Sequence, residues 1–134
     1  MRETSVAFEE KSQFGFEETV ERARQALAER GFGILCEIDV QATLKKKLDV
    51  DRPPYLILGA CHAPSAHQVL SAEPQAGVLL PCNVTVSVEE GQVVVRAMRP
   101  QGALAVLNRP DLAPVADHVG ELLRQVVAFA AGGQ

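Results

Sequence analysis

The chain has no tryptophan, one tyrosine and five phenylalanines among its 134 residues. So few rings cannot build the successive stacking platforms of a single-stranded nucleic-acid channel. Basic charge is scarce too. Thirteen Lys and Arg stand against seventeen Asp and Glu, a formal net charge of -4, the wrong sign for a surface that neutralises phosphates. The one basic run, Lys45-Lys46-Lys47, reads as a solvated face. No apolar stretch approaches the roughly twenty residues of a membrane span, and Met1-Arg2-Glu3-Thr4-Ser5-Val6 lacks the apolar stretch of a secretory signal. The expected setting is the cytoplasm, with neither nucleic acid nor membrane as partner. Three cysteines without paired spacing are expected to be reduced there.

Motifs that announce whole enzyme classes are missing as well. There is no P-loop, no dinucleotide fingerprint, no G-x-S-x-G and no H-E-x-x-H. The reading therefore leans away from an enzyme, and no cofactor is expected. Zinc sites favour closely spaced pairs, whereas the cysteines here stand singly and His62 and His67 are five apart. No metal is expected, and Cys61, Cys82 and His62 are the one set open to a soft ion.

What is present is an aliphatic core. Apolar residues make up 47 % of the chain, mainly Val, Leu, Ile and Ala, and the length suits a single domain over 1–134. Residues 4–9 read as an opening strand with Val6 and Phe8 on one face. Phe16, Val20, Ala23 and Leu27 then recur at helical spacing up to Gly31. Phe32 to Ile38 alternates as a half-buried strand with Ile34, Cys36 and Ile38 inward. Asp39 caps a short helix bearing Val40, Leu44 and Leu48. Tyr55 to Cys61 is a nearly continuous apolar run, the mark of a covered central strand, and Pro64 opens a third helix. Gly77 to Leu80 reads as a brief strand, followed by a hairpin of Val84, Val86 and Val88 with Gln92 to Met98 across the Glu90-Gly91 turn. Ala103 to Leu107 reads as an irregular cover. Leu112, Val115, Val119, Leu122, Val126 and Phe129 mark a long final helix. This order predicts an α+β fold of two layers, with helices on one face of a largely antiparallel sheet.

Chemistry is concentrated in Leu58-Gly59-Ala60-Cys61-His62-Ala63-Pro64 and Leu80-Pro81-Cys82-Asn83-Val84. Cys61 ends a strand just before a helix start, where the positive end of the helix dipole and His62 favour a thiolate. Read as core instead, it is a small buried hydrophobe. Cys82 points inward by alternation with Val84 and Val86, and Asn83 offers hydrogen bonds at the same strand end. The candidate catalytic set is Cys61, His62 and Cys82, and the candidate ligand-binding set adds Asn83. Glu37 and Asp39 read as an exposed strand residue and a helix cap.

These pieces resemble a bacterial and archaeal family known as domain-of-unknown-function family 302. The likeness rests on Gly31-Phe32, Ile38-Asp39, Leu58-Gly59-Ala60-Cys61 with Pro64 and Ala66, and Leu80-Pro81-Cys82 with Val84 and Val86. It implies a curved antiparallel sheet with helices packed on it, similar in outline to one half of the TATA-binding protein. It carries no activity over, but Cys61 and Cys82 match positions where the family tends to have cysteine. The family commonly has Cys-Asn-Pro where this chain has Cys61-His62-Ala63-Pro64, which adds a residue and an imidazole. The functional expectation is a small-molecule-binding or interaction module that forms a homo-oligomer, a dimer. Its rival is a thiol protein of sulfur, redox or soft-metal handling, with Cys61 as nucleophile, His62 as base and Cys82 as resolving partner.

Overall fold

Alternating valines fix the middle of the sheet, and helical stripes supply its cover. The structure is a computed structural model that describes residues 1–133. Its strands are β1 (Arg2–Glu3), β2 (Ala7–Lys11), β3 (Gly33–Asp39), β4 (Tyr55–Cys61), β5 (Cys82–Glu89) and β6 (Gln92–Met98). They form one open sheet in the order β1-β2-β6-β5-β4-β3, every neighbouring pair antiparallel. The helices are α1 (Phe16–Glu29), α2 (Val40–Leu48), α3 (Ala63–Ala72), α4 (Pro100–Ala103) and α5 (Ala113–Ala131). The α+β, helix-on-sheet architecture expected from the periodicities is the one found.

Register puts Leu58 opposite Val84 and Val84 opposite Ala97, with Leu56, Val86 and Val95 in the next row. These side chains share one face. There they meet Val20, Ala23 and Leu27 of α1 and Leu123, Val126 and Val127 of α5 in a single buried cluster. Each such fully buried aliphatic side chain contributes about 1.5–3 kcal/mol relative to exposure. The α1 and α5 helices pack on one another as well as on the sheet.

On the other face of the sheet Arg96 organises a polar cluster. Its Nε donates to Glu9 on β2 at 2.6 Å, while Nη1 and Nη2 donate to Glu89 on β5 at 2.5 and 3.0 Å. Ser87 Oγ donates to Glu89 at 2.6 Å. One guanidinium thus ties three adjacent strands together.

Several local expectations are corrected. Val6 lies in the turn before β2 and is 63 % exposed, whereas Phe8 alone reaches the core. The β3 strand is an edge, not half-buried, and a bulge between Ile34 and Cys36 reverses its phase. Ile34 pairs with Ala60 on the core face, but Cys36 pairs with Gly59 on the open face and is exposed. Residues Pro74–Leu79 form a 3-10 turn rather than a strand, started by Pro74 and by Glu73, whose carboxylate accepts from Gln75 N–H at 3.1 Å. The stretch after Pro100 is built of α4 and two further 3-10 turns, Leu104–Leu107 and Pro110–Leu112.

Arg96 and Ser87 hold the Glu89 carboxyl down to about 2 from its ordinary 4.5. A carboxyl held low when folded stabilises the fold above its unfolded value and loses that contribution as pH falls. The Arg96-dependent stability is therefore expected to disappear between pH 4.5 and 2. Thermal unfolding from pH 2 to 7 should show a shallower acid limb in Arg96→Gln than in the parent. Parallel curves would rule the pairing out as a stabiliser.

Candidate functional site

Where the cover of α1 and α5 ends, a cavity of about 350 Å³ opens between the last residues of β4, the first of β5, α3, α4 and α5. Nearly all of its lining is apolar. Val69 and Leu70 come from α3, Leu80 and Pro81 from the approach to β5, Met98 from the end of β6, and Val115, Ala116 and Val119 from α5. Leu35, the bulge residue of β3, stands at its edge and is 67 % exposed. The polar exceptions are Cys61, His62, Ser65 and Cys82.

Pairing of Ala60 with Cys82 brings the two conspicuous motifs side by side. Cys61 ends β4 just beyond Ala60, and both cysteines line the same cavity although they are 21 positions apart in sequence. Cys82 is buried and Cys61 half-buried. Burial, and to a smaller degree Cys61, push the Cys82 thiol up to about 11, so it stays protonated at neutral pH. Gly59 has a packing reason to lack a side chain: a Cβ there would stand 2.6 Å from Cys36 Sγ and 3.2 Å from Pro81 Cγ.

His62 is the residue that precedes α3, and the helix starts at Ala63 with Pro64 in its first turn. Its Nδ1 shares a 2.7 Å hydrogen bond with Ser65 Oγ, and its ring lies 5.3 Å from that of Phe32 and 5.9 Å from that of His118. The Nε2 edge faces Gly31, where an added Cβ would come within 3.5 Å. His62 therefore joins α3, the α1–β3 turn and α5, and among the described residues no hydrogen bond links it to either cysteine. Desolvation first, and His118 second, depress its pKa below the ordinary 6.5. Asn83 is exposed and does not line the cavity, because it points to the face opposite Cys82. His67 is exposed on α3, away from this lining. Among the described residues no three His, Cys, Asp or Glu cluster closely enough to hold a metal ion, and no helix is long and apolar enough to cross a membrane.

The model of a domain of unknown function, DUF302, matches residues 8–130. The chain belongs to the DUF302 family. A crystal structure of an uncharacterised conserved DUF302 protein from Bacillus stearothermophilus is similar over 92 % of this chain and 97 % of that one, with 27 % identity and a TM-score of 0.87. A search of curated proteins finds no match. In this DUF302 domain, Cys61 and Cys82 line one cavity, a meeting that depends on which strands pair and that the sequence motifs leave open. The contributions of Val115 and Val119 were legible only as a helical stripe, and that of Ala116 not at all. Leu35 carried no signal, since its place depends on the bulge.

A depressed histidine costs stability as pH falls: the unfolded chain takes its proton first, so the loss begins near 6.5 and runs down to the folded value. A proton NMR titration should place the His62 midpoint below 6.5, and His118→Ala should raise it. A midpoint unmoved by that change would remove His118 as a cause.

Proposed function

We propose that this protein is a cytoplasmic small-molecule-binding module whose ligand occupies the cavity beneath α3, without turnover of its own. The observation that carries the reading is that cavity of about 350 Å³, apolar around most of its wall and polar only at the Cys61–His62–Ser65–Cys82 end. Its size falls within the roughly 300–1,000 Å³ of small-molecule sites, which combine an apolar lining with a few placed polar groups. An apolar space of this kind gains by admitting an apolar solute rather than water. The mouth supports entry, with Leu35 and Leu70 exposed at its rim.

Association into a dimer is part of the same reading. Val78 and Val106 are 88 % and 71 % exposed, on the turns that also carry the lining residues Gly77 and Leu104. Apolar residues grouped beside a binding site are suited to contact with a second copy.

Filling the cavity tests the binding reading. The neutral dye N-phenyl-1-naphthylamine should brighten on mixing with the protein, and Val69→Phe, which adds bulk to the wall, should weaken its binding at least tenfold while the thermal midpoint stays within a few degrees. A dye that does not brighten in the parent would count against the cavity as a site.

The adjacency of Cys61 and Cys82 supports the second reading, thiol chemistry. Against it stand the protonated Cys82 and the engagement of His62 Nδ1 with Ser65. Iodoacetamide labelling of the native protein at pH 8, followed by mass spectrometry, should modify the exposed Cys36 first and spare Cys82 until unfolding. The thiol reading survives only if Cys61 reacts in the native state.

A further inference from the structure

His62 stands alone in the wall of the cavity as a side chain that can become a cation. The other polar lining groups, Cys61, Ser65 and Cys82, are neutral or can only lose a proton, and no Lys, Arg, Asp or Glu belongs to the lining. The charge state of one imidazole therefore decides whether this wall is neutral or positive.

The surroundings of that imidazole are not arranged to hold a positive charge. His62 is the N-cap of α3, a helix of ten residues, and the positive end of the helix dipole opposes a cation there. From α5 it faces His118, a second imidazole, with ring centres 5.9 Å apart. From α3 the Ser65 hydroxyl meets Nδ1 at 2.7 Å, and from the α1–β3 turn the uncharged Phe32 ring lies 5.3 Å away. Cys61 precedes it on β4, and Cys82 lines the cavity from β5 with its thiol protonated. The charged and titratable side chains of the same elements are placed elsewhere. Arg30 donates to Gln125 and to the Ala26 carbonyl, Glu121 is held by Arg124, Asp117 lines a different cavity, and His67 is exposed outside the lining. None of the carboxylates named here offsets an imidazolium at His62.

A ligand adds to this opposition. His62 is half-buried, so water can reach and solvate its charged form. An apolar molecule packed against the ring displaces that water without replacing its hydrogen bonds, and a charge taken out of water without a partner is costly. We propose that a neutral apolar ligand in this cavity and a proton on His62 exclude one another, so that acidification releases the ligand. The inference rests on the small-molecule reading of the cavity and adds to it the ligand's charge class and a means of control. Desolvation first, and His118 second, already hold the His62 pKa below 6.5, and the ligand depresses it further. At neutral pH the imidazole is uncharged with or without ligand, and affinity does not vary. As pH falls through the midpoint of the free protein, binding must expel the proton, and linkage lowers the affinity by up to about tenfold per pH unit.

N-phenyl-1-naphthylamine, a diarylamine that stays neutral across this range, reports the coupling. Its dissociation constant should be level between pH 8 and 7 and rise roughly threefold or more by pH 5. His62→Asn, which keeps a hydrogen-bonding partner for Ser65 but cannot take the proton, should abolish that rise. In the parent the proton NMR midpoint of His62 should fall further when the dye is bound, a measurement that needs no variant to fold. Equal binding at pH 8 and pH 5, a rise that persists in folded His62→Asn, or a midpoint unmoved or raised by the dye would each overturn the coupling and leave the cavity reading standing. A dye that fails to bind at pH 8 defeats the cavity reading, and the coupling with it.

Discussion

Burial of one sheet face under α1 and α5 is the constraint on which the rest of this structure depends. The sheet has six strands, and two long helices cannot roof all of it. They cover the rows built from Leu56, Leu58, Val84, Val86, Val93 and Val95. The end of β4 and the start of β5 are left to α3 and a series of short turns. Short turns pack less continuously than a helix because their side chains do not fall into one stripe, and the cavity lies where that change of cover occurs. The same geometry explains why its lining is apolar: those residues continue the core outward, and only the chain ends of β4 and α3 bring in Cys61, His62 and Ser65.

His62 braces the polar end of the cavity. It contacts three parts of the fold through Ser65, Phe32 and His118. An imidazole held in this way orients the start of α3, and with it the wall formed by Val69. Cys82 is held protonated by its burial, which makes it a lining group of modest polarity.

Uninterrupted patterns made most of the architecture legible in the sequence. The valine alternation from Val84 to Val88 and the helical spacing of Phe16, Val20, Ala23 and Leu27 each admit one interpretation, and both elements form as the spacing requires. Failures came where one residue changed the phase or where two patterns competed. At Leu35 the bulge turns a regular alternation over, so that Cys36 and Ile38 exchange the core for the open face. From Gly77 to Leu80 an apolar run resembles a strand, yet Pro74 and the Glu73 cap start a 3-10 turn before the run can extend. The meeting of Cys61 with Cys82 is a matter of register, and register is set by the pairing of whole strands. The cavity as a whole draws on residues from Leu35 to Val119, a span that no local pattern encodes.

The two borders of the sheet have a bearing on assembly. On one side β1 contributes only Arg2 and Glu3, too short a template for another chain to join. On the other, β3 is interrupted by its bulge and carries Glu37, held by Arg24, and Asp39, used as a cap. Brief, kinked and charged borders are how natural sheets refuse additional strands. Copies of this protein are thus steered away from growing one continuous ribbon.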